Sequence, residues 1–155
     1  MWDCVIVWIS NSFIAMRTHG IIYEKCKSFA LDVISLSNEL QGKGEYVMSK
    51  QILKSGTSIG ANYCEALGAE SSQDFIHKIA ISLKETNETY FWLDLLFSSK
   101  YIDKNKFVVM KTQTEELYKM LNSTVLTIKQ RQNSDNQAIT HSICSDSSMD
   151  RITLS

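Results

Sequence analysis

Apolar and small residues recur along four stretches of the chain at alternating steps of three and four positions, the spacing of amphipathic helices that pack against neighbours. The first row is Ile22, Cys26, Phe29, Val33, Leu36 and Leu40. Gly42-Lys43-Gly44 follows and favours a helix stop with a short return. The pattern therefore predicts a helix over 21–41 and an antiparallel neighbour that begins near Glu45.

The second row has the same spacing but a centre of small and polar residues: Met48, Ile52, Ser55, Ile59, Asn62 and Ala66. A helix with such a face is expected to pack unusually close to its neighbour. A break at 68–74 follows, where Ser71 is a candidate N-cap and Asp74 adds negative charge at the positive helix end.

The third helix is predicted over 72–98, with the row Phe75, Ile79, Leu83, Tyr90, Leu93 and Phe97. Phe91, Trp92 and Leu96 widen its apolar face, so this helix should contact more than one neighbour. Asp103 is a candidate N-cap for the fourth helix, which is predicted to end near Arg131. Its row is Phe107, Met110, Thr114, Leu117, Leu121, Thr124 and Ile128.

Four amphipathic helices joined by short breaks predict an all-α, up-down-up-down antiparallel four-helix bundle over 21–131. The chain contains no proline, which leaves long helices uninterrupted. The alternative is a pair of helical hairpins that is stable only on oligomerising. The broad apolar face of the third helix favours association in both cases.

Residues 132–155 are rich in Ser, Asn, Asp and Thr, which predicts a disordered tail. Residues 1–20 form an N-terminal extension that is apolar but has no basic start and contains Asp3. Its first sixteen residues, the apolar part, are fewer than the roughly 20 residues of a membrane span, so neither a signal peptide nor a membrane helix is predicted. Because the helical pattern begins only after Gly20, translation from Met16 is one hypothesis.

Gly56 and Gly60 lie four apart on one face of the second predicted helix. A glycine inside a helix costs about 0.5–1 kcal/mol relative to alanine, so the pair indicates a close helix crossing. A phosphate-binding loop is excluded because the glycines lie within a helical pattern and lack the required order. Asn62 and Glu65 share a side of this helix, where a partner on a neighbouring helix would fix the register.

No cofactor, metal or catalytic residue is predicted, and the protein is predicted not to be an enzyme. The four cysteines contain no CxxC pair, and with three scattered histidines they form no zinc pattern, so free thiols in a reducing cytoplasm are expected. Asp74-x-x-His77 is half of a bundle di-metal motif, and its second half is absent. Nothing brings Ser58, His77 and an acid together as a triad.

The formal charge of the chain is −1, which gives no general attraction to nucleic acid. The segment from Lys100 to Arg131, however, contains seven basic and three acidic residues. The candidate nucleic-acid-binding residues are Lys50, Lys54, Lys78, Lys84, Lys104, Lys106, Lys111, Lys119, Lys129 and Arg131. No interleaving of basic and aromatic residues for stacking bases is expected, because the aromatics fall on the core row.

The segments Tyr46–Ala69, Asp74–Glu85 and Glu88–Leu93 closely resemble the bacterial four-helix-bundle proteins encoded by 23S rRNA intervening sequences. The resemblance begins with Ile22-Tyr23-Glu24-Lys25 and ends near Arg131. That family is in turn similar to the accessory variability protein of diversity-generating retroelements, a basic, pentameric bundle that works with a reverse transcriptase and nucleic acid. The resemblance implies a homopentameric ring.

The resemblance carries no catalytic residue. The matching positions imply a helix-packing and subunit-contact motif: Ser55, Gly56, Ser58, Gly60, Asn62, Glu65 and Ala66, with Lys84, Glu85 and Trp92 on the third helix. The chain departs from the strongly basic retroelement proteins, since 21–131 holds fourteen basic and thirteen acidic residues. We therefore predict a bacterial cytoplasmic oligomeric scaffold with RNA or DNA as a hypothetical partner and no membrane contact. The alternative is a protein-protein adaptor without nucleic-acid binding.

Overall fold

The structure, a computed structural model, describes the backbone of residues 20–146 and side chains as far as Ser134. Within this range it contains four helices and no strand, which confirms the all-α prediction. The helices are α1 (Ile21–Gly42), α2 (Val47–Leu67), α3 (Ser72–Ser98) and α4 (Lys104–Asp146). The predicted start at Met16 lies outside the described residues. No helix among them is long and apolar enough to cross a membrane.

The four helices enclose one core. Each helix packs on its neighbours in the chain, and α1 closes the ring against α4. The α2–α3 contact is the most extensive and the α1–α4 contact the least. Ser37 near the end of α1 bonds Ser49 near the start of α2, whereas Cys26 and Gly60 meet at the opposite ends, so these helices run in opposite directions.

Helix ends follow local side-chain chemistry. Ser71 accepts a hydrogen bond from the Asp74 amide at 3.1 Å, so it caps α3 as predicted. Asp103 likewise accepts from the Lys106 amide at 2.8 Å and caps α4. The turn before α2 uses Gly44, whose φ of 80° is accessible to glycine at little cost. These caps fix where the helices begin and thereby set their register.

The predicted core row holds for α1 from Cys26 onward and for the middle of α4, whereas Phe107, Thr124 and Ile128 on α4 are half-buried and Val125 is buried instead. From Cys26 to Leu40 every member of the α1 row is buried, and on α4 Met110, Thr114, Leu117 and Leu121 are buried. The row predicted for α3 is wrong in its centre, because Leu83 and Tyr90 are only half-buried. Its buried positions are Ile79, Ser82, Thr86, Thr89, Leu93 and Leu96.

Hydroxyl groups are tolerated in the core of α3 because backbone carbonyls accept their hydrogen bonds. The Thr86 hydroxyl donates to the Ser82 carbonyl at 2.8 Å, and Thr89 donates to that of Glu85 at 2.7 Å. The Ser82 hydroxyl crosses to α2 and donates to the Ile59 carbonyl at 2.8 Å. Small side chains whose hydroxyls are satisfied in this way permit close packing without an unpaired polar group.

Ser82→Ala is expected to lower the free energy of unfolding by about 1 kcal/mol, because it removes the one bond that this hydroxyl makes across the α2–α3 contact. Urea denaturation followed by circular dichroism measures the change. Ser99→Ala is the matched control, since the exposed Ser99 hydroxyl bonds only within its own helix end. Equal stability of the Ser82 variant and the native chain would contradict the prediction.

Helix α4 continues to Asp146 and does not end near Arg131 as predicted. Residues 132–146 contain no glycine or proline, so nothing interrupts the helical backbone once α4 is nucleated by packing. The remainder of the predicted disordered tail, 147–155, lies outside the described residues. The division into extension, bundle and tail stays a prediction.

Candidate functional site

The glycine pair lies where α2 passes close to α1. A Cβ atom placed on Gly56 would lie 2.7 Å and 2.8 Å from the two methyl carbons of Val33. A Cβ on Gly60 would lie 3.2 Å from the Cβ of Cys26. The two positions therefore face α1, and Gly56 leaves no room for a side chain.

The other motif positions on α2 divide between the core and the α3 side. Ser55 and Ala66 are buried, and Ser58 and Asn62 are half-buried. The Asn62 amide donates to the Ser58 carbonyl at 2.8 Å within the same helix. Glu65, in contrast, reaches α3 and pairs with Lys78 at 2.6 Å. Of the two residues expected to fix register, only Glu65 makes this contact.

Side chains with metal-binding or nucleophilic chemistry do not converge in the described part of the chain. His77 is exposed, and no group of three His, Cys, Asp or Glu side chains is arranged to hold a metal ion within this range. Cys26 and Cys64 are free thiols. Burial, with a smaller effect of the nearby Cys64, raises the pKa of Cys26 to about 12, so this thiol is unreactive. Cys4 lies outside the described residues.

The predicted basic residues do not form one patch. Three of them are ion-paired: Lys78 with Glu65, Lys106 with Glu39 and Lys111 with Glu115. The other predicted basic residues are exposed: Lys50, Lys54, Lys84, Lys104, Lys119, Lys129 and Arg131. Four of these lie along α4, which makes that helix the most basic element of the surface.

A row of lysines follows one side of α4. Lys104, Lys111 and Lys119 are separated by seven and eight residues, so they lie about two turns, or roughly 10–12 Å, apart. Lys129 continues the row toward the end of the bundle. The acidic residues beside the row are Glu115 and Asp94, both of which act on Lys111.

An open cavity of about 270 Å³ lies between α3 and α4, next to this row. Its lining residues are Thr86, Asn87, Tyr90, Thr114, Glu115, Tyr118 and Lys119. The Nζ of Lys111 lies 5.5 Å from the centre of the Tyr90 ring. A hydrogen bond to Tyr90 raises the pKa of Lys111, which keeps this lysine charged.

The cavity corrects the expectation that every aromatic residue falls on the core row. Tyr90 is only half-buried, and Tyr118 is 39% exposed. The two tyrosines and the lysines at 111 and 119 thus lie together at the surface. In the sequence, Tyr118 follows Glu115 by one helical turn, and Lys119 follows Lys111 by two turns. This spacing within α4 does not show that α3 supplies a second ring, that of Tyr90.

The outer face of α3 carries exposed apolar side chains. Phe91 is 58% exposed and Leu95 is 38% exposed. Trp92 packs edge-on against Phe91, with ring centres 5.2 Å apart, and its indole N–H donates to Glu88 at 3.2 Å. We call Phe91, Trp92 and Leu95 the α3 apolar patch. It confirms that the apolar surface of this helix extends beyond the bundle core.

Glu85 lies beside the patch with one carboxylate oxygen that is buried and lacks a hydrogen-bond partner among the described residues. Burial and the neighbouring Glu88 raise the pKa of Glu85, and Lys54 opposes this shift. The ionised form is therefore disfavoured in the folded state. The contribution of protonated Glu85 to the free energy of unfolding is full below the ordinary pKa of 4.5. It is lost as the pH rises through the higher pKa of the folded state.

Glu85→Gln is accordingly expected to raise the melting temperature at about pH 7 and to have little effect near pH 4, where the native carboxyl is largely protonated. Thermal melts at the two pH values measure this difference. Glu24→Gln is the control, because Glu24 is exposed near the start of α1. A Glu85 variant that is less stable than the native chain at pH 7 would contradict the argument.

Comparison with known proteins places the chain in a family. The model of the 23S rRNA-intervening sequence protein family matches residues 19–123. A solved structure from Bacteroides thetaiotaomicron, described as a protein with unknown function from the S23 ribosomal protein family, is 43% identical with a TM-score of 0.67. The match covers 68% of this chain and 98% of that protein. No curated protein matches the chain. The chain therefore belongs to the 23S rRNA-intervening sequence protein family.

Proposed function

We propose that this protein is a non-enzymatic, homo-oligomeric scaffold of the bacterial cytoplasm that binds RNA through the lysine row of α4. In this proposal each subunit is an up-down-up-down antiparallel four-helix bundle. Similarity to the retroelement accessory protein favours a ring of five subunits. The observation that carries the proposal is that Lys104, Lys111, Lys119 and Lys129 lie along one side of α4, at steps of seven, eight and ten residues.

The lysine row fits a polyanion with repeating charge. Successive lysines of the row are about 10–15 Å apart along α4, so the helix presents a line of ammonium groups to a phosphate backbone. Lys104, Lys119 and Lys129 have no ion pair among the described side chains, so their charge is available. The near-neutral chain supplies only a weak field, and each subunit alone would bind weakly.

Oligomerisation would add these weak contacts together. Linking several sites makes each later contact intramolecular, and the total affinity then exceeds that of one site by orders of magnitude. The α3 apolar patch supports self-association, since large exposed aromatic residues side by side usually mark interaction surfaces. A second copy of this chain is the occupant that the proposal requires.

The charge-reversal variant Lys104→Glu/Lys129→Glu tests the RNA part. We expect at least a tenfold loss of affinity for a single-stranded RNA at low salt, because two ammonium groups are replaced by carboxylates. Filter binding or fluorescence anisotropy at several salt concentrations measures both the affinity and its salt slope. Lys27→Glu/Lys50→Glu is the matched control, since it reverses two charges at exposed lysines on α1 and α2, away from the row.

The result that would overturn RNA binding is equal affinity of the α4 double variant and the control variant. Light scattering at the same concentrations reports the assembly separately. An assembly that remains intact in the α4 double variant shows that a lost RNA signal arises from the row and not from dissociation. A monomeric native chain would remove the scaffold part.

The alternative is a protein-protein adaptor, which the α3 apolar patch also favours. An adaptor would bind its partner through apolar burial, and this binding weakens little between low and moderate salt. Phe91→Ser should then abolish partner binding and leave the subunit number unchanged. In the scaffold proposal Phe91→Ser lowers the number of subunits in the assembly. Light scattering distinguishes the two outcomes.

A further inference from the structure

We infer that the cavity between α3 and α4 binds an unpaired base of single-stranded RNA and selects guanine. This inference rests on the proposed function, because it names the part of the RNA that the lysine row would present to the cavity. The cavity lies against the row, and Lys119 belongs to both. A strand that follows the row therefore passes over the cavity mouth.

The aromatic lining favours a flat ligand. Tyr90 of α3 and Tyr118 of α4 both line the cavity. Tyr118 is 39% exposed, whereas Tyr90 is half-buried with the Lys111 ammonium over its ring, so Tyr118 offers the surface for stacking. Bases stack on tyrosine rings, and each such contact contributes substantially to single-strand binding. The cavity is open to solvent, and its volume of about 270 Å³ has room for a flat base.

The polar lining favours guanine. Glu115 offers a carboxylate, which can accept hydrogen bonds from the two adjacent N–H groups on the pairing edge of guanine. Asn87 offers an amide that can donate to the neighbouring carbonyl oxygen. Uracil has a single N–H on that edge between two carbonyl oxygens, and a carboxylate beside those oxygens is repelled.

Charge at the cavity mouth fits the attached phosphate. Lys119 lines the cavity and has no ion pair among the described side chains. Lys111 pairs with one carboxylate oxygen of Glu115 at 3.8 Å, and a carboxylate has about four acceptor positions, so the N–H groups of a base can bind beside this ion pair. Asp94 also acts on Lys111, so Lys119 supplies the net positive charge.

Binding of the four ribonucleoside monophosphates to the full chain tests the inference by calorimetry. We expect GMP to bind at least tenfold more tightly than UMP. Tyr118→Ala should weaken GMP by about tenfold or more through lost stacking. Tyr46→Ala is the matched control, since Tyr46 is an exposed tyrosine at the start of α2, remote from the cavity. Thermal melts establish that each variant is folded.

Glu115→Gln separates base recognition from general charge attraction. If the site recognises the guanine edge, this variant loses the preference for GMP over UMP. If the surface attracts only phosphate, removing the carboxylate releases Lys111 and tightens all four nucleotides equally. Equal tightening, or equal binding of all four nucleotides to the native chain, would overturn the inference.

These outcomes are distinguishable from failure of the proposed function. RNA binding that depends on Lys104 and Lys129 without any guanine preference would retain the scaffold and remove the base site. GMP binding that depends on Glu115 and Tyr118, in a chain that binds no RNA, would retain the site as a nucleotide site and remove RNA binding from the proposed function.

Discussion

Gly56→Leu is expected to lower the free energy of unfolding by about 3 kcal/mol or more. Even a Cβ at this position would lie within 2.8 Å of both methyl carbons of Val33, which is fully buried and β-branched. Overpacking of a close contact usually costs about 1–3 kcal/mol, and a leucine adds three more carbon atoms to the clash. Chemical denaturation followed by circular dichroism measures the loss.

Two further variants test whether the clash with Val33 is the cause. Gly56→Ala should destabilise the protein less than leucine does, although alanine is the better helix former. Combining Gly56→Ala with Val33→Ala should cost less than the sum of the two single changes, because the smaller partner makes room. Gly42→Ala is the control, since nothing lies within 4 Å of a Cβ there. A fully stable Gly56→Leu variant would remove the close-packing argument.

Leu93→Ala is expected to cost about 3 kcal/mol and to lower the melting temperature by roughly 10 °C. Leu93 is fully buried in the last two turns of α3, where it joins the core residues of the other helices. Truncation leaves a cavity that the surrounding helices fill only in part. Leu31→Ala on α1 is the control, because Leu31 is largely exposed and should lose well under 1 kcal/mol. Similar losses in both variants would place Leu93 outside the core.

The sequence predicts the helices better than it predicts the surfaces between them. The rows of α1 and α4 follow from spacing alone because their buried positions are almost all large and apolar. On α3 the same reasoning chooses Leu83 and Tyr90 over Ser82 and Thr86, because hydropathy does not register a hydroxyl satisfied by a carbonyl of its own or a neighbouring helix. The predicted end of the fourth helix near Arg131 is wrong because no helix-stopping residue follows it.

The candidate site divides in the same way. A pair of glycines within a helix indicates close packing from the sequence alone, and in the structure Gly56 lies against Val33. The pairing of Lys78 with Glu65 across two helices requires knowledge of which helix faces which. The tyrosine cavity is hidden for the same reason, since Tyr90 and Tyr118 come from different helices. Contacts between elements, and the cavities they leave, are tertiary properties that a single periodic row does not contain.

The closing contact between the first and the last helix has a mechanical consequence. It is the least extensive of the four, and polar bridges span it: Lys25 with Glu116, Glu39 with Lys106 and Asp32 with Gln113. Exposed ion pairs hold helices together only weakly. The contact between α1 and α4 is therefore the one at which the bundle opens most readily. Sub-global opening would swing α4 away from α1 and leave the tight α2–α3 pair intact.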